Sequence, residues 1–208
     1  SSVVGLRPSP GRVANGPKAL PFATLSVDGP MARTVEDVAL FLDTQAGQHP
    51  NDPLSFSAPE FSFLSVVDQA EPPLRVAYSP DLGIANIDSE VREVCERAVG
   101  IFEGIGATVV EDSIDLHDAE DTFQKMRAAQ FVGTYASLLE NHRDQLKPEV
   151  IWNIEKGLEL NAREIAQAEL ARGAIFNRAA EFFKRYDLLV CPTSAVPPFD
   201  VEKRYVAE

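Results

Sequence analysis

The stretch LRVAYSPDLGIANIDSEVREVCERAVGIFEGIGATVV, residues 74–110, decides the fold. Leu74-Arg75-Val76-Ala77-Tyr78 is a short apolar run that predicts a strand. Asp88 or Ser89 then caps a helix, because a short polar side chain satisfies the first free backbone N–H groups. Val91, Val94, Cys95, Ala98, Val99 and Phe102 recur at i, i+3, i+4, i+7, i+8 and i+11, one apolar stripe of that helix, which Gly104 and Gly106 close. Ala107-Thr108-Val109-Val110 predicts a second strand. Strand, helix and strand at this length make a right-handed βαβ unit with parallel strands. The turn after the first strand reads Asp81-Leu82-Gly83 rather than Gly-x-Gly-x-x-Gly, which argues against dinucleotide binding.

Downstream, residues 118–186 are helical in pattern. Phe123, Met126 and Gln130 share a face, followed by Val132 and Tyr135. Pro148 suits the first turn of a helix carrying Ile151, Ile154 and Leu158. A long helix from about Arg163 to Tyr186 is expected to turn Ile165, Leu170, Phe176, Ala179 and Phe183 inward. Asp187-Leu188-Leu189-Val190-Cys191 reads as a buried strand stopped by Pro192. Upstream, residues 48–73 look irregular around Pro50, Pro53, Pro59, Pro72 and Pro73. Thr34 starts a helix, with Asp37 three residues on as an acidic capping box, an apolar face of Val35, Val38, Ala39 and Leu42, and Gly47 as its end. Residues 1–30 are dense in Gly and Pro and predict an ordered loop with short strands at Val3–Leu6 and Thr24–Val27.

Composition narrows the function classes. The 208 residues are 45% hydrophobic and 25% charged, as in an ordinary soluble globular protein. Thirty-two acidic against 19 basic residues give a formal net charge of -13, and no Lys/Arg cluster is longer than the pair Lys203-Arg204, so no nucleic-acid partner is expected. No apolar run approaches the ~20 residues that span a membrane. Cys95 and Cys191 lie far apart; a disulfide fits the sequence, but reduced thiols in a cytoplasmic protein are the commoner meaning. The start, Ser1-Ser2-Val3-Val4-Gly5, resembles neither a signal peptide nor a natural first residue, so a cut end is expected.

Catalytic and metal motifs are sparse. His49, His117 and His142 sit in polar contexts without a Gly-x-Ser-x-Gly elbow, and a surface role is expected for each. Neither His-Glu-x-x-His nor paired Cys-x-x-Cys occurs, so no metal and no cofactor are expected. Gly5 to Gly16 lacks the Gly-Lys-Ser/Thr of a phosphate loop. The residues alone give an α/β domain with no visible active site.

A resemblance adds to this. Gly5-Leu6-Arg7-Pro8-Ser9-Pro10-Gly11-Arg12-Val13 resembles the Gly-hydrophobic-Lys/Arg-Pro-Ser/Thr-x-Gly-Arg-Val segment just downstream of the nucleophile in the amidase signature family. Asp28-Gly29-Pro30-Met31-Ala32-Arg33-Thr34-Val35-Glu36-Asp37 is similar to that family's Asp-x-x-Gly-Pro-apolar-Ala-Arg-Thr-Val-Glu-Asp motif, with the spacing before Gly-Pro shortened. Tyr186 to Pro198 looks like the strand and Pro-Thr turn late in the family's core. Gly5 and Gly11 are expected where a Cβ would be forbidden. Arg7, Arg12 and Arg33 are expected to pair internally, Arg33 with Asp28, Glu36 or Asp37. Cys191, Thr193 and Ser194, ending a strand where α/β proteins place ligand-facing loops, are candidate pocket residues.

The resemblance implies a fold and an activity. The fold is α/β, part of an α/β/α layered domain with a mixed β-sheet flanked by helices. Its organisation would be 1–47 loop and helix, 48–73 irregular connection, 74–112 βαβ unit, 113–186 helical region and 187–208 strand and Pro-rich turn. The activity is hydrolysis of a carboxamide to acid and ammonia or amine, with a small-molecule amide as partner. The family's Ser-cis-Ser-Lys triad lies upstream of the part resembled here, and Ser1 and Ser2 do not match its serines. This stretch alone is therefore expected to be inactive, with apolar faces left uncovered and chains pairing through them as a homo-oligomer. A glutaminase subunit of a tRNA-dependent amidotransferase, or a non-catalytic α/β binding or interaction domain, are the alternatives.

Overall fold

The computed structural model describes residues 3–203 and residue 206. The chain divides into two compact units, Ser1–Glu71 with Gln124–Ile165, and Pro72–Phe123 with Ala166–Glu208.

In the first unit, β1 (Val4–Gly5) pairs antiparallel with β2 (Met31–Ala32), Val4 opposite Ala32 and Gly5 opposite Met31. Thr24–Val27, expected as a strand, is loop. Its backbone is met instead by a side chain, since the Leu25 carbonyl accepts from Arg7 Nη2 at 3.1 Å. Helix α1 (Val35–Gln45) starts as predicted, with Thr34 Oγ1 accepting the Asp37 N–H at 3.1 Å. Val38, Ala39 and Leu42 are buried, while Val35 at the first turn is exposed. The region expected to be irregular contains a short helix, α2 (Phe63–Val67). Asp43 near the end of α1 caps it: its carboxylate accepts from Ser62 Oγ at 2.6 Å, Phe63 N at 2.6 Å and Leu64 N at 3.1 Å. The Ser62 hydroxyl foremost, and then those two amides, hold the Asp43 carboxyl below its usual range. Most of α4 (Ala119–His142) belongs to this unit and leads through a 3-10 turn to α5 (Pro148–Glu159). Asn153, Ile154 and Gly157 form the buried face of α5; Leu158, expected inward, is exposed. Where Gly157 meets Ala128 and Val132 of α4 there is no room for a side chain.

In the second unit, β3 (Arg75–Tyr78), α3 (Ser89–Gly104) and β4 (Thr108–Glu111) are the predicted βαβ unit, with β3 and β4 parallel. Asp88 caps α3, its Oδ1 accepting the Glu90 N–H at 2.9 Å. β5 (Leu188–Val190) joins the other side of β3, also parallel, giving the order β4-β3-β5. The sheet is thus parallel among the described residues; antiparallel pairing occurs in the separate β1–β2 pair. Asp187 fastens β5 to β3, its Oδ2 accepting the N–H groups of Leu74 and Arg75, both at 2.9 Å. Central position explains why Val76, Ala77 and Tyr78 are all buried. In α3, Val91, Cys95, Val99 and Phe102 face inward, whereas Val94 and Ala98 lie outside the stripe.

Helix α6 (Ala162–Phe182) starts where predicted, ends before Tyr186, and keeps Ala179 inward but otherwise presents a different face. Leu170 is 75% exposed and Phe176 70%, and Ile165 and Phe183 are exposed too. The inward row is Ala168, Ala171, Ile175, Ala179 and Phe182, at i, i+3, i+7, i+11 and i+14. Phe182 packs with Ala77 and Tyr186 in the core. Small side chains permit close approach on that face, and bulk on the opposite one misleads a reading by size alone.

Candidate functional site

The two family-like blocks form a single local structure in the first unit. β1 and β2 join them, and Leu6 N donates to the Pro30 carbonyl at 3.0 Å. A Cβ on Gly29 would fall on the Leu6 carbonyl and within 2.7 Å of Pro8 Cδ, and Pro30 is fully buried. Gly11 has φ +89°, and a Cβ there would strike the Leu54 carbonyl. Gly5 departs from expectation: the nearest atom to a Cβ is Met31 Cγ at 3.5 Å, an ordinary contact. Within these two blocks Gly29, not Gly5, is the second sterically compelled glycine.

Arg7 and Arg12 take other partners than carboxylates. Arg7 donates to the Leu25 carbonyl, and Arg12 lies over the rings of Phe56 and Phe63 at 5.4 and 5.7 Å. Arg33 pairs with none of Asp28, Glu36 or Asp37 among the described residues. Asp28 accepts from Asn15 Nδ2 instead, and Glu36 and Asp37 sit exposed in the first turn of α1. Local charge proximity in sequence predicted pairs; the loops bring carbonyls and aromatic rings nearer. Asp52 anchors the loop from the other side, accepting the Asn15 N–H at 2.8 Å and the Leu54 N–H at 3.0 Å. The Asn15 amide first, then that of Leu54, lowers its pKa.

This framework holds residues 18–26 against α4 and leaves a cleft of about 400 Å3. Its lining is Lys18, Ala19, Leu20, Ala23 and Ser26 from the loop, and Gln130, Phe131, Thr134 and Tyr135 from α4. The helix residues fall at i, i+1, i+4 and i+5, one face. Gly133 lets the loop close in, since a Cβ there would lie 3.1 Å from Leu20 Cδ1. Phe131 and Tyr135 meet edge to face, centroids 5.3 Å apart, and Arg127 lies 5.6 Å from the Phe131 centroid. An apolar concavity of this size with a few polar groups at its margin suits a small molecule. It can bind and orient, but none of its hydroxyls is hydrogen-bonded to a base among the described residues.

The second unit holds the strand-end candidates. Cys191 follows β5, half-buried and unbridged, as is Cys95. Burial, then the proximity of Cys95, pushes the Cys191 thiol up, so it is not an activated nucleophile. Thr193 is exposed. Ser194 is exposed as well, and its Oγ donates to the Val196 carbonyl at 2.9 Å, a local turn bond. All three histidines are exposed, and among the described residues His117 pairs with its neighbour Asp115 alone, at 2.7 Å. No group of His, Cys, Asp and Glu able to hold a metal ion occurs among the described residues.

Sequence reasoning missed Lys18, Leu20, Phe131 and Thr134 as cleft residues. The single available signal was a Pro-bounded apolar turn, 17–21, far in sequence from the helix it faces.

A family model described as Amidase matches residues 1–207. An acylamidase of Rhodococcus erythropolis is 32% identical over 203 residues, covering 97% of this chain and 43% of that protein. A glutamyl-tRNA(Gln) amidotransferase subunit of Trichlorobacter lovleyi is 32% identical over 111 residues, 53% of this chain and 23% of that protein. Among solved structures, a bacterial aryl acylamidase of the amidase signature family superposes with a TM-score of 0.82 at 24% identity, over 95% of this chain and 43% of that one. The chain thus spans less than half the length of these relatives.

Proposed function

The chain belongs to the amidase family, and on that premise we propose that it is the substrate-framing part of an amide hydrolase whose bond-breaking groups lie outside residues 1–208. The reaction adds water across a carboxamide and releases a carboxylic acid with ammonia or an amine. It needs a hydroxyl with a base within hydrogen-bond reach, and N–H donors aimed at the developing oxyanion. In the resembled family a serine, a bridging serine and a lysine supply the first of these. Among the described residues no serine hydroxyl is hydrogen-bonded to a lysine, and the carboxylate partners of Ser62 and Tyr186 serve a helix cap and a contact beside the strands, so this stretch on its own is read as inactive.

The observation that carries the reading is the joined framework of Gly11, Gly29, Pro30 and β1–β2, which sets residues 18–26 beside α4 and leaves an apolar cleft with polar margins. There the chain would bind the substrate's apolar portion and exclude water from it. Cys191, Thr193 and Ser194 stay in the proposal as a ligand-facing turn of the second unit. A free amidase is favoured over an amidotransferase component, because likeness to the acylamidase extends over 97% of the chain and likeness to the amidotransferase over 53%.

The test is hydrolysis of a panel of aryl and alkyl amides by the complete gene product and by residues 1–208. Turnover by the complete protein alone, lost when its upstream lysine is replaced, is the expected result. Turnover by residues 1–208 that disappears with Ser1→Ala or Ser2→Ala would overturn the reading.

A further inference from the structure

The cleft between residues 18–26 and α4 carries a single charge, and it is positive. Lys18 is the one ionic side chain among its lining residues, in a chain of formal net charge -13. It is half-buried, and makes neither an ion pair nor a side-chain hydrogen bond among the described residues. Asp52 feels its charge, but the Asp52 oxygens already accept the backbone N–H groups of Asn15 and Leu54. Arg143, by contrast, is paired with Glu155 at 2.7 Å. Ser26, Gln130 and Thr134 likewise make no intramolecular side-chain hydrogen bond among the described residues. Below them the surface is apolar: Ala19, Leu20, Ala23 and the Phe131–Tyr135 pair.

We infer that the cleft binds a molecule with an apolar, preferably aromatic, body and a carboxylate, the body lying on Leu20, Phe131 and Tyr135 and the carboxylate on the Lys18 ammonium. Taken with the amide-hydrolase reading, on which the word substrate rests, this names the substrate class as amides with an anionic tail, such as dicarboxylic acid monoamides or N-acyl amino acids. The physical reason is desolvation. An uncharged apolar ligand would strip water from Lys18 without replacing it, whereas a carboxylate supplies a charge-assisted hydrogen bond in its place. Organic cations are disfavoured by the same group.

The test is calorimetric binding of 4-phenylbutyrate and its neutral isostere 4-phenylbutyramide to the 208-residue chain. The acid is expected to bind about tenfold more tightly than the amide, the difference a hydrogen bond to a charged group makes. Lys18→Met and Lys18→Gln should each remove that preference while leaving amide affinity within about twofold, and Phe131→Ala should weaken both ligands; thermal melts check that each variant folds. Equal binding of acid and amide, binding of neither, or a preference that survives in both Lys18 variants overturns the inference. Hydrolysis is judged separately: a preference for the acid that depends on Lys18, with no amide turnover by the complete gene product, would leave this site standing and remove the hydrolase reading.

Discussion

Asp112 shows how a residue's role follows from its neighbours. Its Oδ2 accepts from Tyr186 Oη at 2.9 Å and lies 3.1 Å from Arg185 Nη1, while its Oδ1 accepts the Ser113 N–H at 2.8 Å. The Tyr186 hydroxyl, then the Ser113 amide, hold the carboxyl below its usual range, and the same bond pushes the Tyr186 phenol up. A carboxyl lowered in the folded state adds stability that is present above the unfolded value of about 4 and is lost as pH falls through the lower folded one. Asp43, Asp52 and Asp115 shift the same way, so Asp112→Asn should flatten the acid limb only in part. Melting temperatures followed by circular dichroism from pH 7 to 3 will read this; an unchanged acid limb in the variant would mean the bond carries no net stability. None of this was legible in sequence, since Asp112 and Tyr186 are 74 residues apart. The Thr34 cap was legible, because its partner is three residues away.

Among elements, the contact between α4 and α5 turns on one missing side chain. A Cβ on Gly157 would collide with the Ala128 carbonyl oxygen and lie 2.7 Å from its carbon, with backbone atoms that cannot swing aside. Gly157→Ala is therefore expected to destabilise by about 2 kcal/mol or more, overpacking outweighing the gain in helix propensity. Gly173 of α6 is exposed, with nothing within 4 Å of its would-be Cβ, so Gly173→Ala should stabilise by up to about 1 kcal/mol. Urea denaturation of both variants measures the two signs; equal effects would refute the steric account. Both glycines are helical and look alike in sequence, and the difference lies in what faces them. Likewise the periodicity of α6 announced a helix without saying which side would be covered.

Across the whole chain, a considerable apolar surface stays uncovered. Leu74 is 76% exposed, Leu170 75% and Phe176 70%, and both outer strands of the three-stranded sheet lack a further partner among the described residues. Such faces and edges seek cover. The 208-residue chain is expected to associate as its concentration rises, seen by sedimentation velocity, and Leu170→Lys with Phe176→Lys to reduce that association without lowering the melting temperature. Concentration-independent monomers would mean these faces are tolerated in water. No helix of the described residues is long and apolar enough to cross a membrane.

Sequence alone determined the features whose causes lie within a turn or two of chain. These are the βαβ unit with a cap at Asp88 or Ser89, the Thr34 start of α1, the Pro148 start of α5, and the glycine-bearing blocks that resemble the amidase signature. Tertiary structure decided what depends on residues far apart in the chain: the inward alanine face of α6, the carbonyl and aromatic partners of Arg7 and Arg12, and the cleft that sets Lys18 opposite Phe131. Propensity, capping and periodicity act over a few residues, so a sequence displays them. Burial and pairing are set by whichever surface arrives opposite, and that surface exists only once the chain has folded.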